Sequence, residues 1–313
     1  MIQIKKNVLL SKYSNYKIGG TARLFVEVSK VEELAEIRKQ VQDNKVFVLG
    51  GGTNVLMSDE GFDGLVIHNE IKGILPVRLG QVDSLKVGAG VAIEEILNFC
   101  IENSLSGLEW AGGLPGTVGG AVRGNAGAFA GEIKDSVLEV ESIDLKTLKT
   151  KKRLRKDCKF NYRESIWKME GEREIITFVS LKFEKGERAD ISSKINEKNE
   201  YRKNRHPLEF PNIGSIFKNI PFESLPSKLK EEFGQYVKDD PFPVVPTAKI
   251  IALSGIKGKK VGGAMVSDKH TNFIVNVNNA TSDDIRRLIA IVKQVVKDKF
   301  GIDLEEEIIY LGN

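Results

Sequence analysis

A glycine-dense stretch over residues 107–131, GLEWAGGLPGTVGGAVRGNAGAFAG, constrains the fold of this chain more than any other feature. Nine of its 25 residues are glycine, and only Glu109 and Arg123 are charged. Because glycine costs entropy in regular helices and strands, such density predicts a main chain that turns sharply or closely approaches a ligand. Ordinary turns would also explain it, but a flexible linker is disfavoured by large apolar residues such as Trp110 and Phe129. We interpret the stretch as a ligand cradle.

A second glycine loop, at residues 50–54, follows a predicted strand at 46–49. A strand at 24–28, a helix with a capping box of Ser29 and Glu32, and a strand at 65–68 complete a small β-α-β unit. Loops in this position often supply main-chain amides to phosphate groups. The loop is not a P-loop, because no Gly-Lys-Ser/Thr follows at the required spacing.

Residues 87–90, Val-Gly-Ala-Gly, begin like a dinucleotide-binding fingerprint and precede an apolar helical pattern. Ile93 occupies the third glycine position of that fingerprint, and the βαβ alternation does not continue, so a Rossmann fold is disfavoured. The apolar helical pattern contains Cys100, which we expect to be a buried thiol.

After the glycine-dense stretch, the sequence indicates two further regions: a β-rich domain, and a domain that follows a charged helix. Strands predicted at 137–145 and 174–183 flank the basic segment 146–156, which we interpret as a solvated hairpin in a β-rich domain. A charged helix at 190–205 leads to a further domain. There we predict a helix that ends at Gly255, and a last helix that begins with a capping box of Thr281 and Asp284 and ends at Gly301.

Composition excludes several classes of function. A net charge of +4, from 47 basic and 43 acidic residues, is no nucleic-acid signature. No apolar run approaches the ~20 residues that span a bilayer, so no membrane partner is expected. Two cysteines are too few for a disulfide framework and indicate a cytoplasmic location. Three scattered histidines without a Cys/His cluster predict no metal site.

Ser215 lacks a Gly-x-Ser-x-Gly elbow, which disfavours hydrolase chemistry.

Seven motifs occur in a fixed order along the chain: YKIGGTARLFVEV, LGGGTNVL, GLPGTVGGAVRGNAGAFAG, FNYRES, GSIFKN, VGGAMVSDKHTNFIVN and LEEEIIYLG. Together they resemble the UDP-N-acetylenolpyruvoylglucosamine reductase (MurB) family, flavoenzymes of bacterial cell-wall precursor synthesis, nearly end to end. The resemblance implies an α+β chain with a two-part FAD-binding fold of the vanillyl-alcohol oxidase/CO-dehydrogenase-flavoprotein type and a C-terminal α/β substrate-binding domain. The implied domains are residues 1–70, 71–195 and 196–313.

The resemblance also implies that FAD is bound non-covalently and that NADPH is the hydride donor. The implied cofactor contacts are Gly50, Gly51, Gly52, Thr53, Asn54, Gly113, Pro115, Gly116, Thr117, Gly119, Gly120, Asn125, Ala126 and Gly127. Gly51 and Gly119 are expected to bring main-chain amides close to the pyrophosphate of FAD. A valine at position 119 should therefore weaken FAD binding and leave folding intact.

The family's catalytic residues fall on Arg163, Ser215 and Glu307. Hydride would pass from flavin N5 to the enolpyruvyl C3, with Arg163 and Glu307 stabilising the developing charge and Ser215 protonating C2. The implied substrate-binding residues are Tyr162, Lys218, Asn219 and His270, and Lys218 is also a candidate to assist Ser215.

Some features depart from the family pattern. Glu306 stands where the family often has proline, so the register of the three adjacent glutamates is open; alternation would place Glu305 and Glu307 on one face and Glu306 on the other. The short segment between Arg163 and Ser215 indicates the shorter-loop, type II branch of the family. We expect a monomer that acts on a small UDP-sugar. A flavoenzyme for another substrate and a binding-only paralogue remain as alternatives.

Overall fold

The computed structural model describes residues 2–79, 82–171 and 173–312, and all predicted site residues lie within these ranges. The described chain divides into two compact units. The first contains the chain up to Val8, Ala22–Gly51 and Asp63–Tyr201; the second contains Leu9–Thr21, Gly52–Phe62 and the chain from Arg202 onward. The division into domains at 1–70, 71–195 and 196–313 stays a prediction. Each unit is described by itself below.

The strands, in chain order, are β1 (Lys5–Leu9), β2 (Thr21–Val28), β3 (Val46–Leu49), β4 (Val55–Met57), β5 (Phe62–Asn69), β6 (Ile74–Leu79), β7 (Val82–Gly88), β8 (Leu105–Ser106), β9 (Gly127–Ala128), β10 (Gly131–Glu132), β11 (Val137–Asp144), β12 (Thr150–Leu154), β13 (Glu174–Lys182), β14 (Glu184–Lys185), β15 (Ile220–Pro221), β16 (Lys238–Asp239), β17 (Pro243–Val245), β18 (Lys260–Val261), β19 (Ala264–Val266), β20 (Ile274–Asn276) and β21 (Ile309–Leu311).

The α-helices are α1 (Glu33–Glu36), α2 (Arg38–Asp43), α3 (Ile93–Glu102), α4 (Val118–Gly124), α5 (Ile133–Ser136), α6 (Ile166–Met169), α7 (Arg188–Arg205), α8 (Ser227–Phe233), α9 (Thr247–Ser254) and α10 (Ser282–Phe300). Short 3₁₀ helices cover Leu10–Tyr13, Glu109–Ala111, Arg155–Cys158, Phe222–Ser224 and Gly234–Tyr236. Over the described ranges, no helix is both long enough and apolar enough to cross a membrane.

Two sheets build the first unit. One has the strand order β1-β2-β5-β3, with β3 parallel to β5, and its core includes the buried faces of α1 and α2. The other has the order β12-β11-β13-β7-β6 and is antiparallel between its described neighbours. Its core contains buried residues of α3, α4 and α7. The glycine stretch 107–131 therefore lies beside a packed core, as a ligand cradle requires.

The first helix differs from its predicted form. A Ser29–Glu32 capping box was expected, but the Glu33 carboxylate accepts the main-chain N–H groups of Ser29 and Lys30 at 2.8 and 2.9 Å. The helix has its N-cap at Glu32, three residues later than the expected Ser29, and it breaks at Ile37, which separates α1 from α2. Its apolar face is as predicted, because Leu34, Ile37 and Val41 are buried.

The basic residues of the segment 146–156 are mostly exposed, as predicted, but Lys151 and Arg153 are half-buried. The segment forms the predicted hairpin, in which β11 pairs with β12. Arg153 and Lys151 nevertheless reach Glu174 of β13, at 2.7 and 2.5 Å, and the Glu174 side chain is only 4% exposed. Burial raises the pKa of Glu174, but hydrogen bonds from Arg153, Lys151 and Ser142 outweigh it and lower the pKa to about 2. The two basic side chains therefore neutralise a buried carboxylate.

The second unit has one core around α9 and α10. The predicted start of α10 is confirmed: Thr281 Oγ1 accepts the Asp284 N–H at 3.1 Å, and the Asp284 carboxylate accepts the Thr281 N–H at 3.1 Å. Gly301, with φ 69°, ends the helix as predicted, and Gly255, with φ 85°, ends α9. β21 pairs in parallel with β4, which fixes the C-terminal segment within this unit.

Candidate active site

The two glycine loops of the first unit meet directly. A Cβ placed on Gly50, at the end of β3, would lie 2.7 Å from the Thr117 Oγ1. Thr117 also caps α4, because its Oγ1 accepts the Gly120 N–H at 3.3 Å. A side chain at position 50 would therefore displace the capping hydroxyl of Thr117, and the short distance places Gly50 next to the start of α4.

The outer surface of these loops consists of main chain and small residues. Gly51, Gly113, Pro115 and Gly120 are exposed, and Gly116 is half-buried. A Cβ on Gly120 would meet nothing closer than the Thr117 Oγ1, at 3.4 Å. This surface can lie against a large, flat ligand without side chains intervening.

Gly119 has a different role from the predicted one. Its N–H donates to the Ala89 carbonyl at 2.8 Å, so this amide is not available to a pyrophosphate. A Cβ on Gly119 would lie 2.7 Å from the Ala89 Cβ and 3.0 Å from the Ala89 carbonyl oxygen. The expectation that valine at 119 leaves folding intact is therefore wrong, because glycine is needed here for α4 to pack beside β7.

Gly52 is also a packing residue. Its φ is 63°, and a Cβ would lie 1.9 Å from the Tyr13 carbonyl oxygen. Its own carbonyl accepts the Asn15 N–H at 3.1 Å. Thr53 and Asn54 are half-buried; Asn54 donates from Nδ2 to the Glu307 carbonyl at 3.3 Å. Residues 52–54 thus also serve the second unit, to which they belong.

Asn125, Ala126 and Gly127 lie where α4 leads into the hairpin β9–β10. Asn125 is fully buried, and its Nδ2 donates to Glu132 and to the Asn161 carbonyl, each at 2.8 Å. Its side chain is therefore engaged inside the protein and its main-chain N–H donates to the Val122 carbonyl at 3.2 Å; the cofactor contact of Asn125 stays a prediction. Ala126 and Gly127 are half-buried.

Arg163, a predicted catalytic residue, is half-buried in the first unit beside this hairpin. Its Nη2 donates to the Gly127 carbonyl at 2.7 Å, and its guanidinium carbon lies 5.0 Å from the centre of the Tyr162 ring. Its φ of 55° is left-handed, a conformation that costs a non-glycine residue roughly 1–2 kcal/mol. Contacts to the surrounding chain must therefore hold this residue in place.

Ser215 and Glu307, the other predicted catalytic residues, belong to two paired segments of the second unit. The Glu307 N–H donates to the Ile216 carbonyl at 2.8 Å, and the Lys218 N–H donates to the Glu305 carbonyl at 2.9 Å. The structure therefore brings the main chains of residues 215–218 and 305–307 side by side. Both Ser215 and Glu307 are half-buried.

Contacts of the neighbouring glutamates support the predicted register. Glu306 accepts a hydrogen bond from Lys293 of α10 at 2.7 Å and another from the Tyr310 hydroxyl. Burial raises the pKa of Glu306, but these two hydrogen bonds outweigh it and the pKa falls below its ordinary value. Glu305 is exposed and lies 2.5 Å from the Lys218 Nζ. Glu306 is thus engaged with Lys293 of α10, and the catalytic role of Glu307 stays a prediction.

The predicted substrate residues of the second unit have structural contacts as well. The Asn219 Oδ1 accepts the Thr247 N–H at 3.1 Å, at the start of α9. The His270 ring lies 5.4 Å from the His206 ring and 4.7 Å from the Phe273 ring. Burial lowers the pKa of His270 to about 4, so its imidazole is neutral at pH 7.

Two polar residues with supporting roles were missed by the sequence reasoning. Asn272 accepts the Phe217 N–H at 3.0 Å, donates to the Phe217 carbonyl at 2.8 Å, and so holds the segment after Ser215. Glu132 is only 2% exposed and accepts a hydrogen bond from Asn125. The sequence contained a signal for each residue. Glu132 is a single acidic residue that follows a glycine-rich apolar stretch, and Asn272 directly precedes an apolar strand. In the described ranges, no group of three or more His, Cys, Asp or Glu residues is placed to hold a metal ion.

Comparison with known proteins identifies both parts of the chain. Residues 22–147 match the family model of the FAD binding domain. Residues 206–311 match the family model described as UDP-N-acetylenolpyruvoylglucosamine reductase, C-terminal domain. These matches confirm the predicted fold class, an FAD-binding fold followed by a C-terminal domain of this family.

Whole-chain relatives agree with the domain matches. UDP-N-acetylenolpyruvoylglucosamine reductase of Listeria innocua is 35% identical over 313 residues, covering 99% of this chain and 96% of the relative. The enzyme of the same name from Lachnoclostridium phytofermentans is 35% identical over 310 residues, covering 98% and 92%. The crystal structure of UDP-N-acetylenolpyruvylglucosamine reductase from Thermus caldophilus superposes with a TM-score of 0.76 at 28% identity and covers all of both chains. The chain therefore belongs to the UDP-N-acetylenolpyruvoylglucosamine reductase family.

Proposed function

We propose that Arg163, Ser215 and Glu307 perform the chemistry of this family in the present chain. As a family member the chain catalyses the FAD-dependent reduction of UDP-N-acetylglucosamine enolpyruvate to UDP-N-acetylmuramate, a step of peptidoglycan precursor synthesis, with NADPH as the hydride donor. The observation that carries the residue assignment is the pairing of residues 215–218 with 305–307. Glu306 bonds to Lys293 of α10 there, which supports Glu307 over Glu306 as the catalytic glutamate.

The glycine loops of the first unit fit FAD. The exposed main chain of Gly51, Gly113 and Gly120 offers a surface without side chains, and Gly50 against Thr117 joins the two loops. Bound FAD would carry hydride from NADPH to the substrate. The protein's task is to hold the ligand non-covalently through main-chain contacts, while Gly119 serves the packing of α4 against Ala89.

Arg163 and Glu307 would stabilise the charge that develops when hydride reaches the enolpyruvyl group. The guanidinium is permanently positive and is fixed by the Gly127 carbonyl, so it needs little reorganisation as negative charge builds. Glu307 in its protonated form would donate a hydrogen bond to the substrate carboxylate. Both residues would therefore lower the barrier of the substrate half-reaction and leave flavin reduction by NADPH largely unaffected.

Ser215 would supply the proton that completes the reduction at C2. Its segment is held on one side by Glu307 and on the other by Asn272, which accepts the Phe217 N–H. A serine hydroxyl is a weak acid, so the proton transfer depends on positioning and on nearby positive charge. Lys218 supplies such a charge three residues along the same segment.

Tyr162, Lys218, Asn219 and His270 would bind the UDP-sugar. Lys218 is ion-paired with the exposed Glu305 and can exchange that partner for an anionic substrate group. His270, neutral at pH 7, would contribute a hydrogen bond without a charge. Asn219 holds the start of α9, so its contribution includes the placement of that helix.

An anaerobic titration tests this function against its two alternatives. The purified protein should be yellow, lose its flavin absorbance with NADPH, and regain it with UDP-N-acetylglucosamine enolpyruvate. A preparation that NADPH does not bleach would favour a binding-only paralogue. Bleaching without reoxidation by this substrate would favour a flavoenzyme that acts on another compound.

We further propose a cytoplasmic monomer of the shorter-loop branch. Cys100 and Cys158 are free and buried, which fits a reducing compartment. Light scattering after size-exclusion chromatography should give the mass of one chain, 34.7 kDa. A mass of about twice that value would contradict the monomer.

A further inference from the structure

We infer that Asn125 and Glu132 form a positioning pair that holds Arg163 in its working conformation. This inference rests on the proposed catalytic role of Arg163. It assigns to Asn125 a function other than the cofactor contact that its motif suggests. Four steps, all within the first unit, lead from the turn that carries Arg163 to this pair.

The turn that carries Arg163 is closed by two main-chain hydrogen bonds. The Asn161 N–H donates to the Glu164 carbonyl, and the Glu164 N–H donates to the Asn161 carbonyl, both at 3.1 Å. Tyr162 and Arg163 are therefore the two central residues of a tight hairpin. Arg163 is left-handed with φ 55°, and such a conformation persists only where its surroundings impose it.

Asn125 holds the base of this turn. Its Nδ2 donates at 2.8 Å to the Asn161 carbonyl, which also closes the turn. The second proton of the same amide goes to the Glu132 Oε1 at 2.8 Å, and the Oδ1 accepts the Lys134 N–H at 3.3 Å. Asn125 is fully buried. Both donors and the acceptor of its side chain are thus used inside the protein, with none left to bind a ligand.

Glu132 connects Asn125 to the guanidinium. It pairs across the hairpin β9–β10 with Gly127, and the Gly127 carbonyl accepts the Arg163 Nη2 at 2.7 Å. The Glu132 side chain is 2% exposed, and its carboxylate is paired with the Lys134 Nζ. A buried carboxylate with a cation and an amide partner is a rigid anchor.

The contacts therefore form a closed ring. Glu132 bonds to Asn125, which in turn bonds to the main chain of the turn that carries Arg163. Glu132 also pairs with Gly127, whose carbonyl accepts a hydrogen bond from the Arg163 guanidinium. A displacement of Glu132 or Asn125 would move both ends of Arg163 at once. Because a misplacement of about 1 Å can cost a reaction about 10²-fold, the pair should affect only the step that uses Arg163.

The test is a double-mutant cycle measured on the two half-reactions of the flavin-loaded enzyme, with rates expressed per bound FAD. Asn125→Ala should slow reoxidation by the enolpyruvyl substrate by about 10- to 10²-fold. Reduction by NADPH should stay within about twofold of wild type. In an Arg163→Ala background, adding Asn125→Ala should cause no further loss, because both changes remove the same interaction.

Each other outcome overturns the inference. Equal slowing in both backgrounds would mean that Asn125 does not act through Arg163. Normal rates per bound FAD, combined with a low FAD content, would indicate that Asn125 contributes to cofactor binding. If Asn125→Ala does not fold, Asn125→Gly is measured in the same cycle with the same criteria, because glycine suits the left-handed main chain at φ 43° and also removes both amide donors.

The cycle separates this inference from the proposed function. A slow Arg163→Ala enzyme combined with a normal Asn125→Ala enzyme would overturn the positioning pair alone. If the Arg163→Ala enzyme reoxidises at the wild-type rate, Arg163 has no catalytic role. The inference of a positioning pair would then be wrong as well.

Discussion

The glycine stretch of the first unit and the paired segments of the second unit use their main chains in opposite ways. At Gly113 and Gly120 the main chain is exposed, and no side chain stands between it and a ligand. At residues 215–218 and 305–307 the main chain is occupied by internal hydrogen bonds, and the side chains carry the functional groups. Substitutions in the first region should therefore change cofactor binding, and substitutions in the second should change a chemical step.

Among substitutions other than Ser215→Ala, the largest effect is expected at the paired glutamates. Glu307→Ala should slow substrate-driven reoxidation by about 10²–10³-fold, the scale of losing a preorganised hydrogen-bond donor at developing charge. Glu306→Ala is the matched control, because Glu306 is engaged by Lys293 and Tyr310 and should change that rate by less than about threefold. Stopped-flow measurement of both variants decides the register; the reverse ranking would shift the catalytic glutamate to position 306.

A smaller effect separates two adjacent glycines of the cradle. Gly119→Ala should lower the free energy of unfolding by about 1–3 kcal/mol, because the new methyl group meets Ala89 at 2.7 Å. Gly120→Ala should retain stability, since its Cβ meets only the Thr117 Oγ1 at 3.4 Å. We expect Gly120→Ala instead to weaken FAD binding by about tenfold, or about 1.4 kcal/mol.

Chemical denaturation and FAD titration of the two glycine variants measure these quantities separately. A Gly119→Ala protein of normal stability would contradict the packing role of Gly119. Normal FAD affinity of Gly120→Ala would show that Gly120 does not belong to the cofactor-binding surface.

A further effect concerns the pH dependence of stability through two half-buried histidines of the second unit. Burial first, and nearby positive charge second, lower the pKa values of His206 and His270 to about 3 and 4, from an ordinary 6.5. The unfolded chain therefore binds more protons between about pH 4 and 6.5. Stability from these groups is complete above pH 6.5 and decreases as the pH falls through that window, by on the order of 1–3 kcal/mol.

Urea denaturation at several pH values measures the histidine contribution. His270→Gln should have a flatter dependence than wild type between pH 6.5 and 4, because one of the two groups no longer titrates. An unchanged slope in this variant would show that His270 is not buried in its neutral form.

The contrast between the two regions also shows what the sequence could predict. The start and end of α10 follow from local signals, the Thr281–Asp284 capping box and Gly301, and were confirmed. The roles of Gly119 and Gly120 could not be separated in this way, since the difference depends on the distant Ala89. Local patterns fix local structure, whereas the choice between packing and binding depends on tertiary contacts.

Charged residues provide a second example. Arg153 and Lys151 were expected to be solvated, but both pair with Glu174, more than 20 residues further along the chain. Asn125 was expected at the cofactor, because its motif is shared with a flavin-binding family. Its buried hydrogen bonds to Glu132 and Asn161 became apparent only from the folded chain. For the site, the sequence thus supplied candidate residues, and the structure showed which of them have internal packing or hydrogen-bond partners.

The most direct test of the account is single-turnover stopped flow on Ser215→Ala. The change removes one half-buried oxygen and little volume, so folding, FAD content and flavin reduction by NADPH should remain near wild type. Reoxidation by UDP-N-acetylglucosamine enolpyruvate should slow by ~10²–10⁴-fold, the scale of losing a positioned general acid. Ser215→Cys should recover part of this loss, because a thiol can also donate a proton. Reoxidation of Ser215→Ala at the wild-type rate would contradict the account, since Ser215 would then not be the proton donor.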